Sequence, residues 1–165
     1  MQVKVRGAKD KIFTSVLKLA ARSYTSNLFG SKMIPYLSFH ISVLDLKGAS
    51  GFCLALDNVK PREFEIEISK SNKITMLQTL AHEFVHAKQF AYGELKDKYV
   101  KKQLITTWLG QDCTNLDYWD RPWEIEAYGL ESSLVAKFLY EHNKFKYFKT
   151  KYSNWFIEGL PDDNL

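Results

Sequence analysis

Only two cysteines, Cys53 and Cys113, occur in the chain, and they lack CxxC spacing. That pattern excludes a disulfide framework, and a zinc site made of cysteine alone, which needs about four thiolates. Two buried free thiols are expected instead. Long apolar runs are also missing: none approaches the ~20 residues that span a bilayer, so no membrane partner is expected. The opening MQVKVRGAKDKIF carries charge early and has neither an apolar stretch nor a small-residue cleavage site, unlike a secretory signal. The expected location is the cytoplasm. Repeats, low-complexity tracts and linkers are absent as well. What remains is a 165-residue chain, 45% hydrophobic and 15% aromatic. One globular domain over 1–165, with its core at about 8–142, accounts for that composition.

Periodicity divides the chain into helices and strands. Residues 8–30 place Ile12, Val16, Leu19 and Ala20 on one helical face, and Gly30 supplies a stop. YLSFHISVLDL (36–46) alternates, with Leu37, Phe39, Ile41 and Val43 on one side. GASGFCLAL (48–56) reads as a second strand entered through glycines. REFEIEISK (62–70) alternates Phe64, Ile66 and Ile68 with glutamates, the pattern of a half-buried strand with an acidic outer face. Ser71 or Asn72 can cap a helix from about Lys73 to Tyr92 that ends at Gly93. Residues 98–116 suggest a short hairpin turning near Gly110. Asp120 and Pro122 then open a helix to about His142. Strands grouped apart from helices predict an α+β domain: a short, mainly antiparallel sheet of about three or more strands packed by helices.

Histidine is scarce, four in all, yet two of them lie in TLAHEFVHAKQFAYG (79–93). On a helix, residues four apart project within about 40° of each other, so His82 and His86 can reach one ion from the same side. Glu83, about 100° round from His82, sits where a general base can hydrogen-bond a metal-bound water. Zinc, metal-assisted hydrolysis and a catalytic Glu83 follow as expectations. Lys88, two places after the second histidine, occupies a position where metallopeptidases usually carry an apolar residue, and its stem can snorkel.

A catalytic zinc takes about three protein ligands. His40 alternates against the apolar side of its strand, and His142 ends a helix, so both read as structural. The cluster RPWEIEAYGLE (121–131) is the better source. Glu124 and Glu126 project about 200° apart on a helix and cannot both face one ion. The face around Glu126 carries the small residues Gly129, Ser133 and Ala136, which would admit a close neighbouring helix, and this favours Glu126. Glu124 shares its side with Glu131, Val135 and Phe138 and is the alternative. For an oxyanion stabiliser, Tyr92, Tyr118, Tyr128, Arg121 and His142 are unranked, and Asp117 or Asp120 can orient a ligand histidine.

LAHEFVHAKQFAYGEL followed by YWDRPWEIEAY resembles the small SprT-like or IrrE-like zinc metallopeptidases, especially those of tailed phages. The resemblance covers roughly residues 36–142. It implies a minimal gluzincin, a zincin-like domain with a short sheet, an HExxH helix and a later helix donating a glutamate. His82 and His86 match the ligands, Glu83 the base, and Glu126, directly before alanine, the third ligand. SprT proteases usually take a third histidine where this chain offers glutamates. The resemblance also implies a peptide or protein substrate pairing with a strand above the site, with REFEIEISK nearest in sequence.

The formal net charge is +4, and residues 137–152 hold five lysines against one glutamate. Lys144, Lys146, Lys149 and Lys151 interleave with Phe145, Tyr147, Phe148 and Tyr152. Lysines neutralise phosphates and aromatics stack on bases, so a nucleic-acid contact is one reading; an amphipathic segment with solvated lysines is the other. Beside the peptidase stand two further readings, a zinc-binding regulatory or structural protein that cleaves nothing, and a nucleic-acid-associated module.

Overall fold

A computed structural model of the chain describes residues 1–57 and 59–142. The order is β1 (Gln2–Arg6), α1 (Lys11–Leu28), β2 (Ser38–Leu44), β3 (Gly51–Ala55), β4 (Glu63–Ser69), α2 (Lys73–Tyr92), β5 (Leu95–Val100), β6 (Gln103–Trp108), β7 (Gln111–Asp112) and α3 (Pro122–Glu141). The domain is α+β, with a four-stranded sheet ordered β1-β2-β4-β3 and a separate three-stranded sheet β5-β6-β7. Three of the five strand pairings are antiparallel, but within the larger sheet β1–β2 and β2–β4 are parallel and β3–β4 is antiparallel. The parallel start has a simple cause. QVKVR forms an unexpected first strand, and α1 serves as the crossover that a parallel β1–β2 pair requires. Val3 and Val5 pack on the core, so the packed region begins before residue 8.

Local chemistry sets the helix ends. Asp10 caps α1 by accepting from the backbone N–H groups of Ile12 and Phe13. Of the two candidate caps for α2, Asn72 is the one used, accepting from Thr75 N at 2.9 Å, and Gly93 closes the helix at φ 70°. Pro122 occupies the first turn of α3, while its cap residue Arg121 makes no side-chain cap bond, so Asp120 does not cap the helix. His142 stands at the C-terminal end, its ring 5.2 Å from that of Phe138. The buried face of α1 is Phe13, Val16, Leu17, Ala20, Ala21 and Tyr24; Ile12, expected inside, is exposed.

Helices α1 and α2 cover one face of the large sheet. Tyr24, Phe39, Phe64, Phe84 and Phe138, each from a different element, form one aromatic cluster with essentially no solvent exposure. Phe84 is its hub, 4.5 Å from the ring of Phe39 and 5.9 Å edge-on from Tyr24, which in turn is 6.0 Å from Phe138. One side of α2 is thus locked against α1, β2, β4 and α3. Its other side is left to face the cleft described below. On the opposite face of the sheet, Lys4, His40, Glu65 and Leu54 lie in one cross-strand row. His40 sits there beside Glu63, at 2.8 Å, far from the polar side of α2.

The hairpin expected near Gly110 is present as two. One turns at Lys101 and Lys102 (φ 49° and 70°) between β5 and β6, and the other at Leu109 and Gly110 (φ 49° and 85°) between β6 and β7. Two consecutive positive φ values mark the tight turns that match strand twist. Of the basic segment 137–152, residues 137–142 complete α3, and the interleaved lysines and aromatics from Lys144 onward lie outside the described residues.

Truncating the hub tests this arrangement. Phe84→Ala is expected to lower unfolding free energy by about 3–5 kcal/mol, read from urea unfolding. A loss under about 1 kcal/mol would mean that the cluster does not lock α2.

Candidate metal centre

The polar side of α2 meets α3 across a seam that buries five ionisable side chains: His82, Glu83, His86, Glu124 and Glu131 are each less than a tenth exposed. Buried groups of this kind are tolerable only when they are paired. His82 Nε2 lies 3.3 Å from Glu124 Oε2, and His86 Nε2 lies 3.7 Å from Glu124 Oε1. The outer nitrogens are held elsewhere. His82 Nδ1 is 2.9 Å from Glu131 Oε2, and Gln78 Nε2 donates to the second Glu131 oxygen at 2.6 Å. His86 Nδ1 is 2.8 Å from Gln89 Oε1. Both rings therefore turn Nε2 inward, toward one shared carboxylate.

This convergence suits a metal. Among the described residues, His82, His86 and Glu124 each offer a ligand atom, all within 4.8 Å of one another. Zinc bonds of about 2.0–2.1 Å at tetrahedral angles place ligand atoms roughly 3.3–3.4 Å apart, close to the two imidazole–carboxylate distances seen. Nδ1 partners of this type orient ligand imidazoles and leave Nε2 free to coordinate.

The carboxylate that meets both imidazoles is that of Glu124, not the favoured Glu126. Glu126 Oε1 pairs with Lys88 Nζ at 2.9 Å, and its Oε2 accepts from Gln89 Nε2 at 2.8 Å. Helix α3 buries Trp123, Glu124, Ala127, Glu131, Leu134, Val135, Ala136, Phe138 and Leu139; of the three small residues expected on the contact face, Ala136 is buried while Gly129 and Ser133 are not. An apolar stripe that includes the alanines Ala127 and Ala136 marks the buried side. Lys88 does more than snorkel, because it also bonds Glu94 Oε2 at 2.8 Å.

Glu83 stands beside the pair of imidazoles with its carboxylate against β3. A Cβ on Gly51 would lie 2.7 Å from Glu83 Oε1, 2.7 Å from Thr79 Cγ2 and 2.9 Å from the Glu67 carbonyl oxygen, so only glycine fits there. Burial raises the Glu83 pKa, the His86 and His82 charges oppose this, and Glu124 and Glu131 reinforce it, leaving it at about 7. Burial works to lower the His82 value, but its hydrogen bonds to Glu124 and Glu131 and the charge of Glu83 prevail and push it up to about 9. For Glu124, burial is outweighed by the two imidazoles and by the Tyr118 hydroxyl, which hold it well below the usual carboxylate range.

A cleft of about 690 Å³ opens over these groups, walled by β3 and by Tyr118, Arg121, Trp123 and Tyr128. Tyr118 donates to Glu124 Oε2 at 2.9 Å and its hydroxyl lies 3.2 Å from that of Tyr128, whose ring meets His82 edge-on at 4.7 Å. Burial, with those hydroxyl and carboxylate neighbours, raises the Tyr118 pKa and keeps the phenol a donor. Of the five oxyanion candidates, Tyr118, Tyr128 and Arg121 line the cleft. Tyr92 instead accepts from the Gly30 backbone N–H at 2.9 Å, just beyond the end of α1, and His142 caps α3. The histidine-orienting role considered for Asp117 or Asp120 is filled by Glu131 and Gln89. Neither cysteine is fully buried and both are free thiols; Cys53 lines the cleft, where burial and the Glu83 charge hold its thiol protonated. A thiolate nucleophile does not fit there.

No family model, curated protein or solved structure matches the chain.

Two outcomes test the centre. Glu124→Ala is expected to abolish stoichiometric zinc in purified protein, measured by elemental analysis, while Glu126→Ala retains zinc under saturating metal. The His82 proton, held in the metal-free fold up to about pH 9 against 6.5 in an unperturbed histidine, stabilises that fold below about pH 6.5 and ceases to as pH rises through 9. Zinc needs the neutral ring, so zinc affinity is expected to climb across the same interval with net proton release, read by calorimetry in buffers of differing ionisation enthalpy.

Proposed function

We propose that the chain is a zinc-dependent metallopeptidase of the minimal gluzincin kind, resembling the SprT-like and IrrE-like enzymes. The observation that carries this reading is the convergence of His82 Nε2 and His86 Nε2 on Glu124, with Glu83 buried beside them. His82, His86 and Glu124 would hold the ion. A bound zinc would supply Lewis-acid chemistry, acidifying water and polarising a substrate carbonyl. Glu83 would take the proton from the attacking water and return it to the departing amine. A carboxylate poised near neutral pH suits both transfers. Tyr128 would present its hydroxyl toward the carbonyl oxygen as it gains charge, while the Tyr118 hydroxyl stays with Glu124.

A peptide substrate is favoured by the strand bordering the cleft. β4 lies between β2 and β3, so REFEIEISK has no free edge; β3 is the edge strand, and its Gly51–Cys53 stretch lines the cleft. An extended peptide can add to such an edge through main-chain hydrogen bonds. No helix among the described residues is long and apolar enough to cross a membrane. The two free thiols fit a reducing compartment such as the cytoplasm.

Glu83→Gln discriminates catalysis from a purely structural or regulatory zinc protein. The variant is expected to keep zinc and to lose peptidase activity by about 10²–10⁴-fold, measured on a casein or peptide-library digest. Equal turnover by both proteins would remove Glu83 from the reaction, and a zinc-loaded wild type that cleaves nothing would favour the regulatory reading. The acid limb of kcat/KM is expected at or below pH 7, since a cation beside Glu83 lowers its value from about 7.

Gly51→Ala offers a separate check. The added methyl group displaces the Glu83 carboxylate, so activity is expected to fall while zinc content stays at the wild-type level.

A further inference from the structure

Lys88 and Glu126 take no part in the proposed chemistry, yet they are joined to His86 by one chain of contacts. Gln89, fully buried between them, is the link. Its Nε2 donates twice, to the Trp123 carbonyl oxygen at 3.0 Å and to Glu126 Oε2 at 2.8 Å. An amide nitrogen has two hydrogens and both are used. The Gln89 Oε1 must then face His86 Nδ1, 2.8 Å away. An amide oxygen only accepts, so Nδ1 carries the hydrogen. With Nδ1 protonated in a neutral ring, Nε2 is the bare nitrogen, and it is the one turned toward Glu124.

We propose that Glu126, held by Lys88, is a positioning residue that fixes the amide of Gln89 and through it selects the Nδ1–H tautomer of His86. Reversing the amide would set its oxygen against two acceptors, the Trp123 carbonyl and the Glu126 carboxylate. It would also offer His86 Nδ1 a donor, favouring the tautomer with hydrogen on Nε2. Lys88 Nζ, 2.9 Å from Glu126 Oε1 and 2.8 Å from Glu94 Oε2, holds the carboxylate in place. The departure from the usual apolar residue at position 88 is thereby explained: the arm that orients His86 needs a cation there. The consequence for zinc affinity rests on the metallopeptidase reading; the tautomer does not.

Long-range proton–nitrogen NMR on histidine-labelled full-length protein reads the tautomer directly. It is recorded on metal-free samples at a pH above the raised His82 value of about 9, and again with zinc alone as the probe. Wild type is expected to show His86 with hydrogen on Nδ1 in both. Glu126→Leu removes one of the two acceptors; a mixed His86 tautomer and a loss of about 10-fold or more in zinc affinity are expected. Glu126→Gln combined with Lys88→Met leaves one acceptor oxygen with Gln89 as its remaining donor and is expected to restore both readouts, which a merely structural role would not produce. Glu126→Ala replaces the leucine variant if that one fails to fold. An unchanged His86 tautomer in the variant lacking the carboxylate would overturn the proposal, as would a glutamine variant no better than leucine. A wild type that binds no zinc but shows the expected tautomer shift would sink the metallopeptidase reading and leave this one standing.

Discussion

Burying charge on the α2–α3 seam is the constraint from which the rest of the site follows. Three carboxylates and two imidazoles are withdrawn from water there, and each would be costly alone. The structure answers by giving every imidazole nitrogen an oxygen partner: Glu124 for the two inner nitrogens, Glu131 and Gln89 for the outer ones. Glu83 is the exception, with its carboxylate held in a space that glycine leaves open and its proton affinity raised accordingly. Stability and reactivity are divided between these groups. Paired members fix geometry, and the least well paired acid, Glu83, is the one that would exchange a proton in the proposed reaction.

That division depends on the back of the same helix. Phe84 and Val85 lie in sequence between Glu83 and His86 and are fully buried in the core. The aromatic cluster around Phe84 couples α2 to both other helices and to two strands. Packing energy on one side thus holds the polar side still, and positional precision on the scale of a fraction of an ångström is what metal ligation and proton transfer require.

Much of this was legible in the residues themselves. The HExxH spacing on a capped helix predicted that His82 and His86 would share a side, and the alternation of REFEIEISK predicted an acidic outer face. Three other features were not legible. On α3, the small residues Gly129, Ser133 and Ala136 suggested a contact face, whereas only Ala136 of the three is buried, and burial follows Ala127, Val135 and Phe138, with Glu124 and Glu131 on that side. A carboxylate in line with an apolar stripe was the better signal. On β5 and β6, the turn uses Lys101 and Lys102 at positive φ without glycine or asparagine, so no turn chemistry announced it. β1 was hidden because QVKVR is short and charged, and its partner strand lies beyond a whole helix.

The His82 ring touches α3 twice, through Glu124 on one nitrogen and Glu131 on the other. Those two glutamates stand seven residues apart, two helical turns, on the same stripe. A single imidazole therefore acts as a gauge between the helices: any sliding of α3 along α2, or rotation about its own axis, withdraws both oxygens together. The register of the two helices is thus tied at one aromatic ring, which bridges two successive turns' worth of α3 from a single position on α2.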